Sequence, residues 1–222
     1  MVQLPQDRST LAHTVAGAFP AHLSEDAGKV LAVLPETRFP PTRHFEAEVR
    51  GEIVALPARL YNEEPDAASV RRLNRTQQEM LHCLYTRQSD GHVRQRHLET
   101  ILESMQPWIV PFVMRLTGEY VLEILEVIRE GLDDLAVAGS ARRSLYGEFI
   151  AHNPMFFART ERRVVSYWTC YYRGDYPEFG TYPGSALMEA FRAAATEYSG
   201  RQWPRNTPAP SAVRRPTGLD IV

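Results

Sequence analysis

The stretch Pro107–Leu132, PWIVPFVMRLTGEYVLEILEVIREGL, constrains the fold of this chain more than any other. At about 100° per residue, a helix here gathers Ile109, Val113, Leu116, Tyr120, Ile124, Val127 and Ile128 on one side, widened by Val110, Met114, Val121 and Leu125. Arg115, Glu119, Glu123, Glu126 and Glu130 fall together in the remaining polar sector. A cylinder that is apolar over about half its circumference needs other helices to cover it, so the pattern predicts a central helix in a mainly α-helical fold. Pro107 suits a first helical turn. Pro111 and Gly118 weaken a helix, which predicts a kink or a break near Thr117–Gly118.

Upstream, Leu11, Val15 and Ala18 share a face in a helix read over Asp7–Phe19, and a second helix is read over Ser24–Leu34 with Ser24 as its cap. Pro35, Pro40 and Pro41 make 35–42 an extended connector. Residues 1–42 therefore form a helical and extended segment. His44–Arg50 alternates Phe45, Ala47 and Val49 with Glu46, Glu48 and Arg50, and a second apolar run follows Gly51. This predicts a β-hairpin within 43–62 turning at Arg50–Gly51, with Pro57 marking an edge strand or a bulge. A lone hairpin is marginal in water, so it is expected to pack on the helices, pair with the N-terminal segment or take up a partner's strand.

From 70 to 198 the pattern is helical, with segments at Thr76–Arg87, His92–Glu103, Pro107–Leu132, Ala141–Ala151, Pro154–Arg173 and Ser185–Tyr198, and an ordered loop at Gly174–Gly184. The expected architecture is a helical bundle, or a short helical-repeat-like array, with a small N-terminal β-hairpin. Residues 199–222 are rich in Pro and Arg and read as a flexible tail.

A net charge of -2 over 222 residues gives no global pull toward nucleic acid or anionic membrane. Cys83 and Cys170 lie in apolar helical patterns without CxxC or Cys/His spacing, so they read as buried thiols of a cytoplasmic protein. No apolar run approaches the ~18 residues a membrane span requires, and MVQLPQDRST lacks a signal-peptide layout. No membrane association is expected.

LYTRQSDGHVRQRHLETIL, at Leu84–Leu102, resembles a HEAT-type helical repeat through Asp90, Val93, Arg94 and Leu98, and Trp108, Pro111 and Leu116 resemble the opening of another. The resemblance spans about Arg72–Leu132 and departs from the pattern at His97, where a small residue is usual. It implies a packing style and protein binding. YWTCYYR, at Tyr167–Arg173, is similar to segments of uncharacterised actinobacterial proteins, which implies no activity.

Four carboxylates, Glu119, Glu123, Glu126 and Glu130, share one helix stripe, and Glu79 with His82 supplies an ExxH spacing. A four-helix di-iron site needs a second ExxH, which the sequence lacks, so no metal or cofactor is expected. The stripe reads instead as solvated or paired with Arg142, Arg143, Arg162 or Arg163. The turn before His92 also fits a helix-turn-helix, with His92, Arg94, Arg96 and His97 as the groups that would meet DNA.

Arg159–Arg173 interleaves arginines with aromatics, and Arg162, Arg163, Tyr167, Trp168, Tyr171, Arg173 and Tyr176 are the candidate binding residues. The plainer reading makes Val164, Tyr167, Trp168 and Tyr171 a core stripe with the arginines reaching outward. His152–Asn153–Pro154 reads as a helix break with Asn153 as cap. No GxSxG, P-loop or GxGxxG motif occurs, and no catalytic residue is assigned.

The favoured function is a protein-interaction or scaffolding module, its contact the hairpin edge or the Arg/aromatic segment, with a protein partner or self-association. A DNA-binding regulator using about 76–103 is the alternative, and an enzyme with a site near 159–182 is the second alternative.

Overall fold

The computed structural model describes residues 5–37 and 39–209. The chain is mainly helical: α1 (Pro5–Gly17), α2 (Ser24–Val33), β1 (Thr42–Val49), β2 (Glu52–Arg59), α3 (Ala67–Val70), α4 (Arg75–Tyr85), α5 (Gly91–Ile101), α6 (Val110–Leu116), α7 (Leu122–Gly131), α8 (Ala141–His152), α9 (Pro154–Tyr167) and α10 (Pro183–Ser199). Local chemistry sets several boundaries. Asn74 and Gln77 form a reciprocal capping box at α4, and the Asp90 and Ser140 side chains accept backbone N–H groups at the starts of α5 and α8. Ser24 is not a cap; it is the first residue of α2, and Leu23 precedes it without a side-chain bond.

The central stretch is two helices, broken where the glycine and threonine predict. Pro107–Ile109 makes a 3-10 turn, α6 follows, and residues 117–121 separate it from α7. Pro111 lies in the first turn of α6, where a missing N–H is harmless. The break resets the helical phase, so a single-helix projection misplaces residues beyond it. Tyr120, assigned to the apolar side, is 49% exposed, whereas Glu119, assigned to the polar sector, is buried; Arg115 precedes the break and is buried because α6 is covered on every side. Every residue of α6 is buried, and α7 buries Ile124, Leu125 and Ile128.

β1 and β2 pair antiparallel about the Arg50–Gly51 turn, both of whose residues have positive φ. The hairpin packs against α1 and α8. At its far end Leu60 N–H donates to Arg87 O at 2.8 Å and Ser89 N–H to Leu60 O at 3.1 Å, which ties β2 to the α4–α5 turn. One hydrophobic core runs from Leu11 to Trp203.

Two sequence expectations change here. Residues 201–209, read as part of a flexible tail, are held on the body: Trp203 is buried, Asn206 donates to Glu161 Oε2 at 2.7 Å, and Arg205 donates to Glu189 Oε2 at 2.7 Å. The rest of the predicted tail, 210–222, lies outside the described residues. Cys83 is buried as expected but Cys170 is exposed, inside the single π turn over Trp168–Tyr172 that ends α9. Among the described residues, no helix is long and apolar enough to cross a membrane.

Candidate functional site: an arginine cluster and its groove

The α6–α7 break lowers Glu119 into the core, where only 1% of it is exposed. Arg59, at the end of β2, grips it in a fork, Nη1 to Oε1 and Nη2 to Oε2, both at 3.1 Å. Arg87 Nη2 lies 3.6 Å from Oε1 and Arg94 Nη2 3.9 Å from Oε2. The link from Leu60 to the α4–α5 turn makes this convergence possible, since it brings Arg87 and Arg94 beside Arg59. Arg87 also donates to the carbonyls of Pro57 and Ala58, and Arg94 to those of Gln88 and Ser89. Burial alone would raise the Glu119 carboxyl, but the Arg59 bonds and the charges of Arg87, Arg59 and Arg94 hold it down at about 2.

Glu119 therefore belongs to no solvated stripe. Glu123 and Glu130 are exposed, and Glu126 is half-buried. Of the four arginines expected to answer the stripe, Arg142 pairs with Asp134, Arg143 with Glu197 and Arg163 donates to Gly118 O, and among the described residues neither Arg162 nor Arg163 forms an ion pair.

A further cation lies beside this cluster without an anion of its own. Arg115, in the last turn of α6, is 6% exposed, and its guanidinium carbon sits 4.0 Å from the centroid of the Phe45 ring on β1. Its Nε is buried with no partner, and among the described residues Arg115 makes no hydrogen bond and no ion pair. Burial first, and then the neighbouring charge of Arg163, push its guanidinium down to about 10, with Glu119 opposing them. That carboxylate is already engaged by Arg59.

Arg115 lines a groove of about 800 Å³ between β1 and α9. The α9 wall adds Arg159, Arg162 and Arg163, and Phe156 and Thr160 lie between them. Arg163 Nε donates to Gly118 O at 2.9 Å, which fixes the α9 wall to the α6–α7 break. The β1 wall presents Phe45, Glu46 and Glu48. At one end Asn153 clasps β1: its Oδ1 accepts Glu48 N–H at 2.7 Å, and its Nδ2 donates to Glu48 O at 2.8 Å. Asn153 stands at the expected cap position between α8 and α9, but its side chain makes no bond to the start of α9; its Nδ2 also donates to Phe149 O in α8 at 2.9 Å.

Of the predicted binding residues, Arg162 and Arg163 line the groove. Tyr167, Trp168, Tyr171, Arg173 and Tyr176 do not. Trp168 is buried against Phe179 at 5.2 Å and donates its indole N–H to Tyr176 O at 2.8 Å, so it closes the loop onto the core. Tyr176 is half-buried with its ring edge on Tyr182, and the exposed Arg173 lies over Trp168 at 5.7 Å. Tyr171 is 65% exposed and, with Tyr167 and Tyr120, forms a surface ring cluster.

Of the predicted DNA contacts, only His92 is exposed and unengaged by an acid. Arg94 is buried on Glu119, Arg96 pairs with Glu64, and His97 is buried between Glu64 Oε1 at 2.8 Å and His82 Nδ1 at 2.7 Å. Among the described residues, no group of three or more His, Cys, Asp or Glu is placed to hold a metal ion.

Sequence reasoning missed Arg115, Arg159, Phe45 and the clasp by Asn153. The available signal was Arg115 itself, a lone charge inside VPFVMRL, a helix otherwise free of polar side chains. Compared with protein-family models, curated proteins and solved structures, the chain matches none.

Proposed function

We propose that the protein is a binding module that draws an anionic group, a carboxylate or a phosphate, into the groove between β1 and α9, with Arg115 as its anchor. One observation carries the reading: Arg115 is 6% exposed, lines a groove, stacks on Phe45 and, among the described residues, has no hydrogen-bond or ion-pair partner for its charge. A buried charge without a partner is costly, and a ligand anion would relieve that cost at once. The planar guanidinium suits the task because it meets carboxylate or phosphate oxygens in pairs.

The groove supplies the rest. Arg159, Arg162 and Arg163 raise the local potential along one wall, while Phe45 and Phe156 offer contact area to the ligand's body. The site lies between the hairpin edge and the Arg-rich helix, the two surfaces the sequence offers for an interaction.

A thermal-shift titration tests the reading. Inorganic phosphate and glutarate should raise the melting temperature of the wild-type protein, since a ligand at 100 times its Kd stabilises by about 2.7 kcal/mol, and Arg115→Gln should abolish the rise. An equal rise in both proteins, or none in the wild type, overturns it.

A further inference from the structure

We infer that the anionic ligand is an extended acidic peptide segment that adds as a strand to the free edge of β1, an inference that rests on the anion-binding reading above. The register of the hairpin makes the argument. With the turn at Arg50–Gly51, Val49 and Glu52 close the ladder, and Val49, Ala47 and Phe45 turn their backbone groups toward β2. Glu48, Glu46 and His44 must then turn theirs to the other edge, the one that lines the groove.

Asn153 confirms this alternation and shows how the edge is used. Its carboxamide accepts from Glu48 N–H and donates to Glu48 O, which is what the backbone of one residue in a neighbouring strand would do. The next rungs, at Glu46 and His44, have no such partner: among the described residues, no hydrogen bond crosses the edge from either backbone. Proteins usually blunt an open edge with charge, proline or a covering element. Here α9 stands across a groove from the edge and leaves the rungs open between two walls.

Charge and shape select the occupant. Four arginines, Arg115, Arg159, Arg162 and Arg163, outnumber the two glutamates of the groove, Glu46 and Glu48, and the one charge buried at its floor is a cation. Acidic side chains of an added strand meet these arginines. Residues pointing the other way meet Ile53 and Met155, which are 66% and 61% exposed at the rim and suit the apolar positions of an alternating strand. Main-chain bonds to β1 would supply affinity, and the arginines the choice of sequence.

Fluorescence anisotropy with a fluorescein-labelled octapeptide of alternating Glu and Val tests the inference. Three partners are compared in parallel: the same peptide N-methylated on alternate backbone nitrogens, the Lys–Val counterpart, and the Arg115→Gln protein. The Glu–Val peptide should bind the wild type, N-methylation should weaken it roughly tenfold or more by removing ladder donors, and both the Lys–Val peptide and Arg115→Gln should lose binding. Equal binding of the N-methylated peptide, or no Glu–Val binding at about 1 mM, overturns strand addition while the phosphate shift of the wild type leaves the anion reading standing. Undiminished binding to Arg115→Gln overturns both. Glu46→Pro, which removes one edge N–H, should weaken binding as N-methylation does, and the peptide arm decides the matter if that variant does not fold.

Discussion

The Arg115 guanidinium lies 4.0 Å from the centroid of the Phe45 ring, and no acceptor answers it among the described residues. A cation–π contact is worth about 2 kcal/mol when desolvated, less than the several kcal/mol that burial of an ion costs. Arg115→Met keeps the length of the side chain and removes the charge, so it should raise stability by roughly 1 kcal/mol or more while abolishing the phosphate-induced rise in melting temperature. Urea denaturation checks the first part; a loss of stability would make Arg115 a structural residue.

Glu119 is the opposite case, a single carboxylate on which Arg59, Arg87 and Arg94 converge. Glu119→Gln preserves volume but leaves three cations without their common anion, and it should cost about 3–5 kcal/mol. A change below about 1 kcal/mol would mean that backbone carbonyls and solvent suffice for the arginines.

Acid should destabilise the protein in two steps. Burial, and then the nearby His97, hold His82 down at about 4, and burial also lowers His97 despite the raising effect of Glu64. A base with a lowered folded pKa is protonated first in the unfolded chain, so stability present above the unfolded value of about 6.5 falls as pH drops toward about 4. Glu119, an acid held at about 2, contributes stability above its unfolded value of about 4.3, and that contribution is lost as pH falls through the folded value. Melting temperatures recorded from pH 7 to pH 3 should show the first loss diminished in His82→Gln; an unchanged profile would assign it to other groups.

Residues 201–209 should contribute to stability through Trp203. Its side chain is 6% exposed, and Trp203→Ala should cost about 3 kcal/mol. Hydrogen exchange of α10 should quicken in the same variant. An effect near zero would show that this segment is held by its hydrogen bonds, through Arg205, Asn206, Thr207 and the Trp203 N–H, and not by the indole.

Gly147 lets α8 and α10 approach closely. A Cβ at this position would lie 2.4 Å from Ala194 O, a backbone atom that moves only if the helices separate. Gly147→Ala should therefore cost about 1–3 kcal/mol, despite alanine's better helix propensity. A stabilised variant would mean that this interface yields without loss.

By itself the sequence determined the helical class, the hairpin and its turn at Arg50–Gly51, the starts of α4, α5 and α8 to within a residue of Thr76, His92 and Ala141, and the weak point at Thr117–Gly118. These depend on residues a few positions apart, where periodicity and capping act. It did not place the charges. Glu119 meets Arg59 from 60 positions away, and Asn153 meets Glu48 from 105 positions away. The spacing of residues on a helix shows which of them share a face, but whether that face meets solvent, a carboxylate or an empty groove depends on the elements packed opposite. The tertiary structure alone decided that Arg59 grips Glu119 inside the protein with Arg87 and Arg94 close by, and that Arg115, four residues before Glu119, forms no ion pair with it.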